Sequence, residues 1–361
     1  MLSCGLVGMP NAGKSTVFCA LTKAQAEVSS YPFCTIEPNA AVVAVPDPRL
    51  DRLGEIFEQD ERLPAPIEFI DIAGLVRGAH QGHGLGNQFL ARVRECDAIL
   101  HVVRCFRRAD VPHVDGLVDA VRDAETVSVE LALADLQTVQ RRRDRRRKGM
   151  APEQIADEEA VLGKLEAALN EGRPARSLAF AEAEREILDE LFLLTAKPTL
   201  LLANVDEGDL LGPGPELVRL REWAAGWGEP MLAISARLEA DIAELPGHEA
   251  RDFVEEMHLP ELGLTKVVQA AFGLLNLITF FTGVGRELRA WPVRQGTTAV
   301  EAAAKVHTDM AARFQKAEVI GFAELDRSGS WSQARDRGLV RNEGRQYILA
   351  DGDVVHFRFG H

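Results

Sequence analysis

Residues 8–15, Gly-Met-Pro-Asn-Ala-Gly-Lys-Ser, match the phosphate-binding pattern G-x-x-x-x-G-K-[ST] at every fixed position. The apolar residues 2–7 predict a short buried strand before this loop, and residues 16–22 predict the start of a helix after it. A loop of this kind turns backbone N–H groups toward a β-phosphate, and the positive end of the helix dipole adds to the attraction. In this pattern Lys14 reaches the β- and γ-phosphates, and the Ser15 hydroxyl holds Mg²⁺. The sequence therefore predicts a site for a nucleoside triphosphate. The residues assigned to this ligand are Asn11, Ala12, Gly13, Lys14, Ser15 and Thr16.

Length, charge and cysteine content narrow the class of protein. The chain has 361 residues, enough for two or three domains. Its net charge of −14 argues against broad coating of nucleic acid, so we expect no DNA binding and, for RNA, only a local basic patch. The five cysteines form no C-x-x-C pair, which favours reduced cysteines over a disulfide frame or a metal site. With no leader peptide and no membrane-spanning apolar run, we expect a soluble, cytoplasmic protein without a membrane partner.

Near-continuous apolar runs alternate with helix-like segments along much of the chain. Four of these runs cover residues 67–71, 98–103, 199–204 and 230–235. Such runs are typical of parallel strands that are covered on both faces. The polar motifs follow the carboxyl ends of these strands, where open α/β sheets bind ligands. We therefore predict an α/β fold of the P-loop NTPase type, with a mostly parallel sheet and helices on both faces.

A helical insertion interrupts this alternation at about residues 124–194. Val129, Leu133 and Leu136 keep helical spacing, and a Gly- and Pro-containing break follows, so we predict an antiparallel helical hairpin. Its tip, Arg141–Lys148, is basic at every position except Asp144. Two interpretations stay open at this point: a solvated helix tip, or a contact with RNA phosphates.

The C-terminal region has a different pattern. Residues 288–293 predict a strand, residues 299–307 predict a helix, and residues 347–357 predict two strands around an Asp-Gly turn. This order fits a small α+β domain. We therefore divide the chain into a first domain, residues 1–275, and a second domain, residues 276–361.

Asp71-Ile72-Ala73-Gly74 supplies the second motif of nucleotide chemistry. In P-loop proteins the Asp of D-x-x-G supports Mg²⁺ and the Gly N–H meets the γ-phosphate. The next residue is Leu75, where many GTPases carry a glutamine that orients the attacking water. Hydrolysis is therefore expected to be slow, or to depend on another group, an ion or a partner. Thr35, within residues 31–36, is the candidate for the remaining Mg²⁺ ligand beside Ser15 and Asp71.

The segment Asn204-Val205-Asp206-Glu207 follows a predicted strand and is expected to read the base. Guanine-specific proteins use N-K-x-D at this place, whereas this chain lacks the lysine and has a longer carboxylate at the fourth position, Glu207. The change weakens the two bonds to guanine and leaves room for the 6-amino donor of adenine. Ser235 and Ala236 follow the next strand, where a backbone N–H can approach the base. Reading of guanine through Asp206 stays open as an alternative.

Together these motifs resemble the Obg-like ATPase family, known in bacteria as YchF, a branch of the translation-factor-related P-loop GTPases. The resemblance spans essentially the whole chain and rests on the P-loop, residues 31–35, 71–75, 82–87, 204–207, 281–283 and 351–354. It implies that residues 124–194 form the coiled-coil arm of an OBG-type G domain. It also implies that residues 276–361 form a TGS domain, which has a ubiquitin-like β-grasp fold.

The resemblance further implies an activity. Family members hydrolyse ATP in preference to GTP and associate with the 70S ribosome or its large subunit, and Asn204 and Glu207 reproduce their N-x-x-E motif. Leu75 matches their hydrophobic residue at the glutamine position. By position, His113 corresponds to a family histidine, on a loop, that is proposed to assist hydrolysis. The catalytic residues expected on this basis are Lys14, Gly74 and His113.

We therefore expect a Mg²⁺-dependent ATPase that acts as a conformational switch on the ribosome and contacts rRNA through the arm tip, Arg141–Lys148. Asn11 is a candidate for placing a monovalent cation such as K⁺ beside the transferred phosphate, because the sequence offers no evident arginine for that place. Two alternatives stay open. One is an RNA- or ribosome-binding scaffold with negligible turnover, and the other is a GTPase that prefers GTP.

Overall fold

The computed structural model describes residues 1–26, 39–75, 78, 85–144, 151–257, 262–283 and 287–360. The strands are β1 (Ser3–Val7), β2 (Ala40–Val45), β3 (Glu61–Leu63), β4 (Ala65–Asp71), β5 (Ala98–Arg104), β6 (Thr199–Asn204), β7 (Met231–Ile234), β8 (Leu277–Thr282), β9 (Glu287–Arg294), β10 (Phe314–Gly321), β11 (Arg341–Glu343) and β12 (Asp353–Phe359). The helices are α1 (Lys14–Ala26), α2 (Pro48–Phe57), α3 (Leu85–Glu95), α4 (Ala120–Asp144), α5 (Pro152–Asn170), α6 (Glu182–Leu191), α7 (Gly208–Leu211), α8 (Pro215–Trp227), α9 (Ala236–Ile242), α10 (Gly247–Glu256), α11 (Gly263–Leu274), α12 (Ala299–Val306), α13 (Thr308–Ala312), α14 (Phe322–Ser328) and α15 (Trp331–Asp336). A short 3-10 helix spans Ala175–Ser177.

The first sheet has the strand order β2-β4-β1-β5-β6-β7. All neighbouring strands are parallel except β2, which runs antiparallel to β4. β1, β5 and β6 are buried along their whole length because helices cover both faces of the sheet. Leu6 faces a core with residues of α1 and α11, whereas its neighbour Val7 faces a core with residues of α3 and α4. The predicted parallel α/β sheet is confirmed, and the sequence analysis missed only its antiparallel edge strand.

The predicted hairpin is formed by α4 and α5, and Leu136 packs in its core, whereas Val129 does not. Val129 is 49% exposed, and the buried residues in this part of the helix include Ala124, Val127 and Leu131. The first half of α4 packs on the first sheet, so the sheet determines which face is buried. Farther along, Val139 packs against the buried residues of α5. No helix among the described segments is long and apolar enough to cross a bilayer.

The second sheet has the order β11-β10-β12-β8-β9-β3. Helix α12 covers one of its faces, and α2 lies against the other. β12 is parallel to β8 and β3 is parallel to β9, while the other neighbours are antiparallel. Side chains alternate between its two faces: Phe280 packs with Ala302 of α12, and Phe281 packs in the core that contains Leu53 of α2. Both faces of this mixed sheet are therefore buried, as expected for an α+β unit.

Two details of the C-terminal region differ from expectation. β3, residues 61–63, pairs with β9 and completes the second sheet, although it belongs to the predicted first domain. The division at residues 275 and 276 therefore stays a prediction that omits this strand. Residues 347–349 do not form the predicted strand: Ile348 makes only an isolated bridge to Thr298. The reason is that this segment bonds to the start of α12, where Ala299 N–H donates to the Tyr347 carbonyl at 2.7 Å.

Candidate nucleotide-binding site

The P-loop connects β1 to α1 and takes a backbone shape that only certain residues allow. Gly13 has φ +96°, and a Cβ atom there would lie 2.1 Å from the Asn204 side-chain nitrogen. A Cβ atom on Gly8 would lie 2.3 Å from the Val102 carbonyl oxygen. Asn11 has φ 61°, a left-handed value that asparagine tolerates better than most residues. The two glycines of the motif are therefore required for close approach to the neighbouring backbone and side chain.

Lys14 lies inside the loop and is almost fully buried. Its Nζ donates hydrogen bonds to the carbonyl oxygens of Gly8 at 3.2 Å and Met9 at 2.9 Å. Burial lowers the pKa of the Lys14 ammonium from its ordinary 10.5 to about 8. The carbonyl groups that bond to Lys14 carry no net charge. A phosphate placed in the loop would therefore supply an anionic partner for this buried cation.

Ser15 and Asp71 meet at the start of α1 and the end of β4. The Ser15 hydroxyl donates to the Asp71 carboxylate at 2.7 Å. Hydroxyl and carboxylate oxygens are hard ligands of the kind that Mg²⁺ prefers, and P-loop enzymes hold Mg²⁺ with this pair. The donor set therefore fits the ion. Thr35, the third predicted ligand, lies outside the described residues.

Gly74 and Leu75 place the D-x-x-G motif against the P-loop. A Cβ atom on Gly74 would lie 3.0 Å from the backbone nitrogen of Pro10, and the Leu75 N–H donates to the Gly8 carbonyl at 3.1 Å. The Leu75 side chain is buried in the core beneath the sheet with Val7 and Phe89. It can therefore neither reach nor orient a water molecule at the phosphate.

Asn204, at the end of β6, links two loops of the site. Its side-chain nitrogen donates to the Ala12 carbonyl at 3.0 Å, and its side-chain oxygen accepts from the Ala236 N–H at 3.0 Å. Both polar groups of the buried amide are thus bonded to protein backbone. Ser235 and Ala236 line the nucleotide cavity, and the contact of their backbone with the base stays a prediction. The Ser235 hydroxyl accepts from the Leu238 N–H and caps α9.

The next residues form one wall of an open cavity of about 500 Å³. Asp206 accepts the Arg107 N–H at 3.0 Å, which fixes one of its carboxylate oxygens. Glu207 is exposed at the same wall. The cavity gathers most of the predicted ligand residues with several that were not predicted: Asn11, Gly13, Lys14, Ser15, Thr16, Phe106, Arg108, Val111, Asn204, Val205, Asp206, Glu207, Ser235, Ala236 and Arg237. Ala12 does not line the cavity and contributes its carbonyl to Asn204.

His113 lies on the segment between β5 and α4 but does not line this cavity. Its Nε2 is 2.7 Å from a carboxylate oxygen of Asp123, and its Nδ1 accepts the Asp115 N–H at 3.1 Å. Burial raises the pKa of the Asp123 carboxyl. Asn11 reaches the same segment, because its side-chain nitrogen donates to the Pro112 carbonyl at 3.0 Å. The structure therefore connects this segment to the P-loop, but both nitrogens of the His113 ring are already in use.

Comparison with known proteins identifies the family. Residues 3–137 match a family model described as a 50S ribosome-binding GTPase, and residues 277–360 match the YchF GTPase C-terminal model, described as a protein of unknown function. The "Ribosome-binding ATPase YchF" of Bacillus subtilis is 43% identical over 363 residues and 99% of both chains. The chain belongs to the YchF family. The Haemophilus influenzae member is 46% identical over 359 residues, covering 99% of this chain and 98% of its own.

Solved structures agree with the family and the fold. The Schizosaccharomyces pombe YchF GTPase aligns with a TM-score of 0.89 at 35% identity, covering 99% of this chain and 97% of that one. A GTP-binding protein from Pyrococcus horikoshii, 20% identical with a TM-score of 0.64, shares the fold. As a YchF protein with this P-loop domain, the chain is a nucleoside triphosphate hydrolase.

Arg104 is a residue of this YchF site that sequence reasoning missed. It ends the buried strand β5 and donates to the carbonyls of Phe106 at 3.3 Å, Val111 at 2.8 Å and Pro112 at 3.3 Å. Burial lowers the pKa of its guanidinium. Arg104 therefore fixes the backbone of residues 106–112, and Phe106 and Val111 of this segment line the nucleotide cavity. An arginine at the end of a buried strand was the available signal.

The arginines of the arm have partners as far as the structure describes them. Arg142 bonds to the buried Glu158 and to Glu190, and Arg143 pairs with two glutamates of α5. Arg141 is exposed. Residues 145–148 of the predicted basic tip lie outside the described residues. Arg142 and Arg143 therefore stabilise the hairpin and offer less free charge to a partner than the sequence alone indicates.

Proposed function

We propose that this YchF protein is a Mg²⁺-dependent ATPase that hydrolyses ATP slowly, with GTP less favoured, and works as a conformational switch on the 70S ribosome or its large subunit. The observation that carries the proposal is the arrangement of residues 204–207, which are expected to contact the base. The Asn204 side chain is hydrogen-bonded to the two neighbouring loops, Asp206 accepts the Arg107 N–H, and Glu207 lines the cavity.

This arrangement favours adenine for a reason of hydrogen bonding. Guanine needs an acceptor for both its N1–H and its 2-amino group, and one aspartate carboxylate at a fixed distance from the backbone normally accepts from both. The longer Glu207 side chain changes this distance. Asp206 is not free to replace it, because its carboxylate accepts the Arg107 N–H. A carboxylate oxygen of Glu207 remains a suitable acceptor for the 6-amino group of adenine. The Schizosaccharomyces pombe relative is named a GTPase and the bacterial relatives are named ATPases, so base preference is the point to test.

The chain's own groups perform the chemistry mainly by position and charge. The P-loop backbone holds the phosphates, Lys14 neutralises the β- and γ-oxygens, and the Gly74 N–H meets the γ-phosphate. Ser15 and Asp71, with Thr35, would hold Mg²⁺, which adds positive charge beside the phosphates when bound. Because Leu75 is buried in the core, unassisted hydrolysis is expected to be slow.

Two further groups are proposed to assist hydrolysis. For His113 to act on water, its ring must first leave Asp123, so its role requires movement of the segment between β5 and α4. Asn11 keeps its side-chain oxygen available for K⁺ while its nitrogen holds the Pro112 carbonyl. Equal turnover in sodium and potassium salts would remove the proposal for Asn11.

Association with the ribosome is proposed from the names of the bacterial relatives, and it implies a cytoplasmic protein. Within the arm, we assign rRNA contact to Arg141 and residues 145–148, because Arg142 and Arg143 are paired with glutamates. Charge reversal at Arg145, Arg146 and Arg147 should weaken ribosome binding and flatten its dependence on salt. Unchanged binding would remove the arm from the interface.

Competitive binding of ATP and GTP to the purified protein in Mg²⁺ tests the central claim. We expect tighter binding of ATP, and Glu207→Asp should reduce the preference for ATP by about fivefold, the value of one hydrogen bond. Glu222→Asp, an exposed glutamate of α8 outside the cavity, is the matched control and should change neither affinity. Tighter binding of GTP would contradict the ATPase assignment while leaving the family and fold intact.

A further inference from the structure

A second cavity of about 220 Å³ lies between β5, β6, α4, α8 and the segment that follows α5. We call it the tryptophan cavity because Trp223 and Trp227 of α8 contribute to its lining. None of its lining residues lines the nucleotide cavity. The nucleotide chemistry described above therefore leaves this cavity without a role.

His101 gives the cavity a polar group that the protein does not satisfy. The residue lies in the buried strand β5, is only 5% exposed and lines the cavity. Within the described part of the chain no group hydrogen-bonds its ring, and buried polar side chains are normally bonded. Burial, together with the nearby Arg176, lowers the pKa of the His101 imidazole to about 3. The ring is therefore neutral, with one nitrogen that accepts and one that donates.

The walls of the cavity are apolar and aromatic. Leu131 and Leu201 contribute aliphatic surface, and the two tryptophan rings lie 6.3 Å apart between centroids at an angle of 50°. Trp227 is 42% exposed, so the tryptophan pair reaches the surface and borders the opening. An apolar cavity of about 150 Å³ takes up benzene. This cavity therefore has room for one aromatic ring with a short chain.

The opening carries negative charge. Glu125 is exposed and accepts the Trp223 indole N–H at 3.2 Å, and among the described residues no cation lies within ion-pair distance of it. The cation of the cavity, Arg176, is bonded to Glu229 and to the Thr195 carbonyl, so its charge is already compensated. A ligand that reaches Glu125 is therefore favoured when it carries positive charge.

We propose that the tryptophan cavity binds a small arylalkylamine, an aromatic ring with a short chain that ends in an ammonium group, whose ring carries a hydroxyl or N–H donor. The ring would lie between the aliphatic wall and the tryptophan pair, its donor would bond the His101 imidazole, and its ammonium would lie beside Glu125. The ammonium would also meet the faces of the indoles, which attract cations.

Three probes of one size test each part of this proposal on the wild-type protein. Tyramine has the ring hydroxyl and the amine, phenethylamine lacks the hydroxyl, and 3-(4-hydroxyphenyl)propionate replaces the amine by a carboxylate. Binding is followed by quenching of tryptophan fluorescence and by calorimetry. We expect tyramine to bind with a Kd of about 1 mM, the value typical of so small a ligand. Phenethylamine should bind about fivefold more weakly and the carboxylate about tenfold more weakly.

Variants assign these differences to residues. Glu125→Gln should remove most of the preference for tyramine over the carboxylate. Glu222→Gln, at an exposed glutamate of α8 that does not line the cavity, is the matched control and should leave the preference unchanged. His101→Leu should abolish the advantage of tyramine over phenethylamine. If that variant does not fold, the same comparison on wild-type protein still tests whether the cavity accepts a hydrogen bond from the ring of the ligand. Absence of tyramine binding at 10-fold the expected Kd, about 10 mM, or equal binding of all three probes, would overturn the proposal.

Discussion

Replacing Asn204 by Ala should destabilise the protein and weaken nucleotide binding together, because one buried amide holds two loops. The variant leaves the Ala12 carbonyl and the Ala236 N–H without the partners that each now has at 3.0 Å. Both residues are 1% exposed, and a buried backbone group left unpaired costs about 1–3 kcal/mol. We therefore expect a loss of about 3 kcal/mol in the free energy of unfolding.

Asn204→Asp tests the donor and the acceptor of this amide separately. The aspartate keeps the oxygen that accepts from Ala236, but its second oxygen faces the Ala12 carbonyl in place of a donor. Protonation restores a donor, so the folded state raises the pKa of the new carboxyl above its ordinary value. The folded state then binds more protons than the unfolded state, and stability must fall as pH rises. We expect Asn204→Asp to be more stable at pH 5 than at pH 7.5, relative to wild type.

The assay is urea unfolding of both variants without nucleotide at the two pH values, with ATP affinity measured by calorimetry. Asn204→Ala should show no such change with pH relative to wild type, since it adds no titratable group. A loss below about 1 kcal/mol for Asn204→Ala would refute the inference that the amide holds both loops. An equal response of the two variants to pH would refute the assignment of its donor to Ala12.

Further predictions concern buried charges. The lowered pKa of Lys14 means that the unfolded state binds more protons between pH 8 and 10.5, so wild type should gain about 3 kcal/mol over Lys14→Met across that range in nucleotide-free unfolding. His113→Ala leaves the Asp123 carboxylate buried without its 2.7 Å partner and should cost about 2 kcal/mol in urea unfolding. Arg142→Ala leaves Glu158, whose side chain is 3% exposed, without its guanidinium and should cost about 3 kcal/mol in thermal unfolding.

Each of these has a control within the chain. Exposed Arg141 should tolerate Ala with a change of less than about 0.5 kcal/mol, so equal effects at Arg141 and Arg142 would contradict the pairing with Glu158. For Lys14, a difference from the Met variant that is constant with pH would contradict the lowered pKa. For His113, full stability of the Ala variant would mean that the ring does not hold the segment before α4.

The parts of the molecule that local sequence determines were predictable. The P-loop, the strands β4, β5, β6 and β7 and the hairpin helices follow from patterns within short windows. Contacts between distant segments were not. The partners of Asn204 lie 192 and 32 residues away in sequence, so it was predicted as a ligand for the base and not as a link between loops.

The exposure of Val129 on α4 has the same origin. Helical spacing alone allowed Val129 to be buried, but the sheet against which the first half of the helix packs buries Val127 and Leu131 and leaves Val129 exposed. His113 is similar: its position came from a family resemblance, whereas the bond of its ring to Asp123 depends on how the segment folds. Three-residue strands such as β3 are too short to leave a periodic pattern.

The pairing of β3 with β9 has a consequence for how the chain assembles during synthesis. β3 is translated early, whereas its partner β9 is among the later segments, so this edge of the second sheet closes only after most of the chain has emerged. A fragment that starts at residue 277 would leave the free edge of β9, a row of unpaired backbone donors and acceptors, open to other chains. Residues 61–63 thus act as a built-in cover for that edge, and cutting the gene at the apparent domain boundary should yield an aggregating product.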